Sequence, residues 1–225
     1  MAASAALASA LDKWRARWPE WNVGASFVAA ADRETVFAWF ALLQELTDAA
    51  WSGADATPGL AKLAWWHEEL IGWSKGARRH PLGEALRRGD VDWTALARAL
   101  RALQATREQT AGIEPDIALG AVADAIAVCE RVLFAGEGGA SDVAPGDAAS
   151  AALVRDLLDE RALLFADAGV ERASTAADAA APLPRRLHRA FLRERLRRLR
   201  ASGAAGPASP WRSLWLAWRA ARGRG

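Results

Sequence analysis

The chain contains no tyrosine, one cysteine, one methionine and three histidines. No run of apolar residues approaches the ~20 that a membrane-spanning helix needs. With Cys129 alone, neither an internal disulfide nor a cysteine-rich zinc site can form, and its neighbours Ile126, Val128 and Val132 mark a buried, inert thiol suited to a reducing compartment. His67, His80 and His188 are scattered, with no His-x3-His spacing, so no zinc site is assigned. No local Ser, His and Asp signature supports hydrolase chemistry. The glycine-rich stretch 136–146, GEGGASDVAPG, follows a helix rather than a strand and lacks the Lys-Ser/Thr of a P-loop, so it reads as a surface loop. The N-terminus lacks the basic start and unbroken apolar core of a signal peptide, and a cytoplasmic protein is expected.

Alternating strand patterns are also missing, whereas alanine, leucine and arginine abound and 12 tryptophans stand beside six phenylalanines. The fold class is therefore expected to be all-α. A chain of 225 residues that is 52% hydrophobic can bury one substantial core, and no composition shift demands a division, so residues 1–225 are read as a single domain.

The stretch Glu34 to Ile71 organises this domain. A first helix, Glu34 to Trp51, carries Val36, Phe37, Phe40, Leu43 and Thr47 at helical spacing, with Gln44, Glu45 and Asp48 within one turn of each other. A second, Pro58 to Ile71, starts at Thr57 as cap with proline at the first helical position. Glu45 and Asp48 can point oxygens at one cation, or can form an ordinary solvated helix end. Ahead of this pair, Ala2 to Trp18 is an amphipathic helix with Leu7, Leu11 and Trp14 on one stripe, stopped by Pro19 and expected to pack as a lid.

Further on, Asp92 is expected to cap a scaffold helix reaching Arg107, and a helix after Pro115 runs to Phe134. A helix capped by Asp147 and closed by Gly169 places Leu153, Leu157, Leu164 and Phe165 toward the core. It also carries Asp156 and Glu160 on one face beside Arg155 and Asp159, which alone reads as a surface lattice of charges. Residues 185–225 hold 12 arginines and one acid, Glu194, giving 12 − 1 = +11 against +2 for the whole chain. This basic segment ends in a stripe of Trp211, Leu214, Trp215 and Trp218 beside Arg212, Arg219 and Arg222. It resembles an interfacial helix more than a nucleic-acid reader, and no nucleic acid is expected. The alternative is intramolecular, with arginines meeting the acidic remainder and the tryptophans in the core.

Three pieces in order, FAWFALLQELTDAAW (Phe37 to Trp51), GLAKLAWWHEEL (Gly59 to Leu70) and His80-Pro81-Leu82, resemble the squalene and phytoene synthase family. Laid on the family's Arg-Glu-x-Asp-Asp-x-x-Asp run, Glu45 and Asp48 match, Gln44 stands for the arginine, and Thr47 and Trp51 stand for two aspartates. Laid on its second run, Asn-Ile-Leu-Arg-Asp-x-x-x-Asp, Arg155, Asp156 and Glu160 take the closing positions and Ala152 stands for the asparagine. The run GASFVAAADRE after Asn22 resembles the family's first bundle helix, and the arginine-rich end resembles its last helices.

The resemblance implies an isoprenoid-synthase-like helical bundle around a central cavity lined by Phe27, Phe37, Phe40, Trp65 and Trp66. It implies a prenyl diphosphate or other isoprenoid ligand, with Glu45, Asp48, Asp156 and Glu160 as ligands of Mg2+, Asp48 and Asp156 as catalytic groups, and Gln44 and Arg155 at the diphosphate. The half-kept first motif implies weak or lost head-to-head prenyl transfer, and hence a binding or assembly role with a protein partner. The alternative is an active Mg2+-dependent prenyltransferase joining two prenyl diphosphates. The segment 185–225 adds an anionic membrane surface as partner, with the protein peripheral to the inner face of the membrane.

Overall fold

A computed structural model describes residues 2–87, 90–108, 115–134, 147–166 and 181–223. The apolar spacing of Val36, Phe37, Phe40 and Leu43 becomes one face of helix α3 (Arg33–Trp51), but Ala38, Trp39, Leu42 and Ala50 on the other faces are buried too. A helix apolar nearly all round must be surrounded. Around it lie α1 (Ala2–Arg17), α4 (Thr57–Ser74), α5 (Leu82–Ala85), α6 (Trp93–Glu108) and α8 (Asp147–Leu164). Helix α7 (Pro115–Leu133) bridges α6 and α8, and α9 (Leu183–Ser202) packs on α8. The short α2 (Trp21–Gly24) and the last helix, α10 (Pro210–Ala221), close the other side against α9. Among the described residues there is no strand, and one hydrophobic core runs through all of these helices: the fold is all-α and single-domain.

Helix boundaries follow local chemistry. Asp92 Oδ1 accepts from the Ala95 N–H at 2.9 Å, the expected cap of α6. Thr57 is not the cap of α4; it is already helical, and the Asp55 carboxylate upstream accepts its N–H at 2.9 Å. Helix α8 ends at Leu164 rather than running on toward Gly169, and Ala166 takes a left-handed φ of 51°. Phe165, expected in the core, is thereby turned out and is 55% exposed. The 136–146 loop lies outside the described residues, as do Gly169 and most of the linker before α9.

The run after Asn22 forms no continuous helix. Two 3-10 turns, Ala25–Phe27 and Ala30–Asp32, are separated at Val28 by extended backbone, whose carbonyl accepts from Arg33 Nε at 3.1 Å. Gly24 is required there, since a Cβ would stand 2.9 Å from the Phe191 ring of α9. The expected stripe of helix α1, Leu7, Leu11 and Trp14, is buried in the common core.

Helix α10 is tied to α9 through Glu194, whose buried carboxylate accepts from Arg197 at 2.7 Å and Arg212 at 3.0 Å. Its hydrogen bonds to Arg197, working against burial and helped by Arg212, pull the Glu194 pKa down to about 2. A carboxylate with a depressed folded-state pKa contributes stability that is complete above the unfolded value and lost as pH falls through the folded one. Glu194→Gln is therefore expected to flatten the fall in melting temperature between pH ~4.5 and ~2. An acid limb as steep as in the parent would disprove it.

Candidate functional site

The two carboxylate groups singled out in the sequence lie on α3 and α8, helices that touch. On α3, the Asp48 carboxylate accepts from Arg17 at 2.7 Å and from the Gln44 amide at 3.0 Å. Glu45 pairs with Lys62 of α4 and with Lys13 of α1 at 3.6 Å. Burial raises the Glu45 pKa, but the two lysines more than offset this and hold it below the usual carboxylate value. Both α3 carboxylates are partly exposed.

On α8, Asp156, Asp159 and Glu160 are all buried, so the face is not a surface lattice of charges. It meets the arginine side of α9. Arg189 donates to both Asp156 oxygens, Nε to Oδ1 at 2.7 Å and Nη2 to Oδ2 at 2.8 Å, a bidentate fork that fits the carboxylate plane. Arg185 lies 3.8 Å from the same carboxylate and donates its main hydrogen bonds to Glu130 of α7, with Nε at 2.9 Å from Oε1. Trp39 Nε1 donates to that Glu130 oxygen at 2.8 Å. Arg155, expected at the diphosphate, is half-buried on α8.

Between the two groups stands His188 of α9. Trp21 Nε1 donates to its Nδ1 at 3.3 Å, so Nε2 carries the proton and faces Glu160 at 3.5 Å. Burial, outweighing the attraction of Glu160, holds the His188 pKa below its ordinary value, and the ring is neutral at pH 7. Phe40 stacks on it at 4.4 Å, Trp18 meets it at a tilt at 4.6 Å, and Trp18 Nε1 in turn donates to Gln44 at 3.0 Å. A continuous path thus runs Asp48, Gln44, Trp18, His188, Glu160. Trp14, Trp21 and Phe37 complete this ring cluster. The Trp14 N–H is buried and has no acceptor among the described residues.

Of the expected cavity aromatics, Phe40 stacks on His188 and Phe37 lies against Trp14 and Trp21, whereas Trp65 and Trp66 pack on His80, with Trp66 continuing to Trp73 and Trp93. Phe27 is a partly buried residue at the edge of the core. The Glu69 of the second motif piece, 1% exposed, accepts from the N–H groups of Arg79 and His80 at 2.7 and 2.8 Å and from Trp73 Nε1 at 2.7 Å. It clamps the chain after α4. His67 Nδ1 contacts the Ala97 carbonyl at 2.9 Å, and Cys129 is fully buried, burial pushing its thiol pKa up.

Mg2+ asks for near-octahedral oxygen donors. Here the donor oxygens of Asp48, Glu45 and Asp156 face guanidinium or ammonium groups, and Trp18 and His188 stand between the two helices. Among the described residues, no three acidic, histidine or cysteine side chains converge on one point. In this arrangement the residues do not fit the ion. Arg185, Arg189, Glu130 and His188 were not among the expected site residues. A usable signal was there: Arg185 and Arg189 fall on the stripe of Leu192, Leu196 and Leu199, the buried face of α9. No family model, curated protein or solved structure matches the chain.

Proposed function

We propose that this chain is a binding or assembly protein on an isoprenoid-synthase-like plan, with the carboxylates of that plan serving as internal ion-pair partners rather than as a catalytic ion site. The observation that carries this reading is the buried fork of Arg189 on Asp156, with Arg185 beside it on Glu130. Charges paired this way are spent on each other, and opening them to admit an ion and a diphosphate would strand two guanidinium groups in a dry interior.

Charge also selects between ligand types. Around His188 the cations Arg185 and Arg189 are already matched by Glu130 and Asp156, with Glu160 left over, so the interior offers a diphosphate no net attraction. An uncharged isoprenoid suits it better: aromatic walls for the chain and the unpartnered Trp14 N–H for one oxygen.

Titration of the intact protein with farnesol and with farnesyl diphosphate, each with Mg2+ and with chelator, tests this. Farnesol is expected to bind at least as well as the diphosphate, and Mg2+ to change neither. Trp14→Phe is expected to weaken farnesol roughly fivefold, the worth of one hydrogen bond. Mg2+-dependent diphosphate binding that disappears in Asp156→Ala, or turnover to a head-to-head hydrocarbon, would establish the active prenyltransferase instead. If neither ligand binds, the reading reduces to its assembly half.

A further inference from the structure

Helix α10 is inside out by the standards of a core helix. The side it presents to α9 and α2 is made of the buried Ser213, Ala217 and Ala220 with the half-buried Leu216, while its three tryptophans and Leu214 face solvent. Trp211 is 82% exposed, Trp218 44%, Trp215 40% and Leu214 39%. Positions 211, 214, 215 and 218 share one helical stripe. Three tryptophans aligned in water are costly, and a helix selected only for packing would turn this stripe inward and its small residues out. The seat is nonetheless well fixed. Ser209 caps the helix through the Arg212 N–H, Pro210 opens it, and Glu194 holds Arg212 from α9.

The charges on this helix share the exposed side. Arg212 lies over the Trp215 ring at 4.5 Å and Arg219 over the same ring at 5.0 Å, while Arg222 covers Trp218 at 4.1 Å. No acidic residue occurs from Pro210 to Gly225, and Arg197 and Arg200 of α9 are exposed as well. Tryptophan rings bordered by guanidinium groups on the face of a short helix suit the boundary between phosphate headgroups and acyl chains, where the ring meets hydrocarbon and the cation meets phosphate. No helix among the described residues is long and apolar enough to cross a membrane. At 1.5 Å per residue the 12-residue α10 is about 18 Å long and would lie in the surface plane.

We propose that the exposed face of α10, Trp211, Leu214, Trp215 and Trp218 with Arg219 and Arg222, docks this protein on an anionic lipid surface. The proposal is independent of what the interior binds. Its test is co-sedimentation of the full chain with vesicles of phosphatidylcholine, with and without phosphatidylglycerol. The intact protein is expected to pellet with the anionic vesicles at low salt, and at least about tenfold less with neutral vesicles or at high salt. Replacing Trp211, Trp215 and Trp218 together by alanine is expected to reduce pelleting to background while leaving the melting temperature close to that of the parent.

If that variant melts early, the charge reversal Arg219→Glu with Arg222→Glu takes its place. Loss of anionic pelleting in this variant supports the proposal, and retention overturns it. An intact protein that stays in the supernatant with anionic vesicles at low salt also overturns it. So does binding that ignores lipid charge and salt, and so does a dimer that becomes monomeric in the tryptophan variant without any pelleting, which would assign the face to a second copy.

Discussion

Asp156→Ala is expected to destabilise the ligand-free protein by about 3–5 kcal/mol, because it leaves the buried Arg189 guanidinium without its carboxylate. For a chain of this size that is roughly 6–20 °C in melting temperature. The sign separates two accounts of the residue. In an empty ion site, acidic side chains repel one another, and removing one relaxes the fold. In an ion-paired cluster the same removal strands a cation. Asp156 is 1% exposed, both its oxygens are engaged by Arg189, and Arg185 stands 3.8 Å away, so the second account applies. The double variant Asp156→Leu with Arg189→Met, which removes both charges, is expected to recover most of the loss. Urea unfolding of the parent, Asp156→Leu, Arg189→Met and the double variant closes the cycle. An Asp156→Ala protein as stable as the parent would refute the pairing and restore Asp156 as a candidate ion ligand.

The parts of the fold that periodicity controls were legible. Helix α3 was bounded within a residue, whereas the burial of its other faces, through Ala38, Trp39, Leu42 and Ala50, is added by the structure. The cap at Asp92 was legible for the same reason, since it depends on one side chain and a backbone N–H three residues on. Thr57 failed because Asp55 offered a carboxylate to the same orphan N–H groups, a competition that sequence spacing leaves undecided. Phe165 failed because α8 stops a residue earlier, at Leu164, and the turn swings the ring outward.

The candidate site was half legible, and the division is physical. Asp156 and Glu160 do share one face of α8, as a four-residue spacing requires. Which cation meets them is a tertiary matter. The neighbouring Arg155 was the natural choice from the chain, yet the partner is Arg189, 33 residues away on another helix. Likewise the 12 arginines of residues 185–225 looked like one basic surface. The structure divides them: Arg185, Arg189 and Arg195 are buried against Glu130, Asp156 and Glu20, whereas Arg197, Arg200, Arg219 and Arg222 are exposed. On α10 the stripe itself was legible but its direction was not. A row of tryptophans and a row of small residues are both compatible with contact, and only the packing of Ser213, Ala217 and Ala220 on the bundle decides between them.

Trp21→Ala is expected to have an effect of similar size, about 3–5 kcal/mol, for a different reason. The Trp21 ring is wholly buried and meets Phe40 at 5.5 Å, Phe191 at 5.8 Å and both Trp14 and Phe37 at 5.9 Å, joining α1, α3 and α9 at one point. Removing it opens a cavity where four rings converge, and rigid aromatic neighbours cannot collapse into it fully. It also removes the N–H that His188 Nδ1 accepts, leaving that buried nitrogen without this hydrogen bond. Trp21→Phe divides the two contributions: it keeps most of the ring contacts and loses the N–H, so it is expected to cost about 1–3 kcal/mol. Denaturant melts of both variants measure these losses, with a pH series from 5 to 8 beside them. Because burial lowers the folded-state pKa of His188, its contribution is present above the unfolded value near 6.5 and declines as pH falls below it. With the interior opened by Trp21→Ala, water can reach the imidazole and that decline is expected to weaken. A Trp21→Ala protein within ~1 kcal/mol of the parent would mean that the aromatic cluster does not hold α1, α3 and α9 together, and that the position between the two carboxylate groups is already loosely filled.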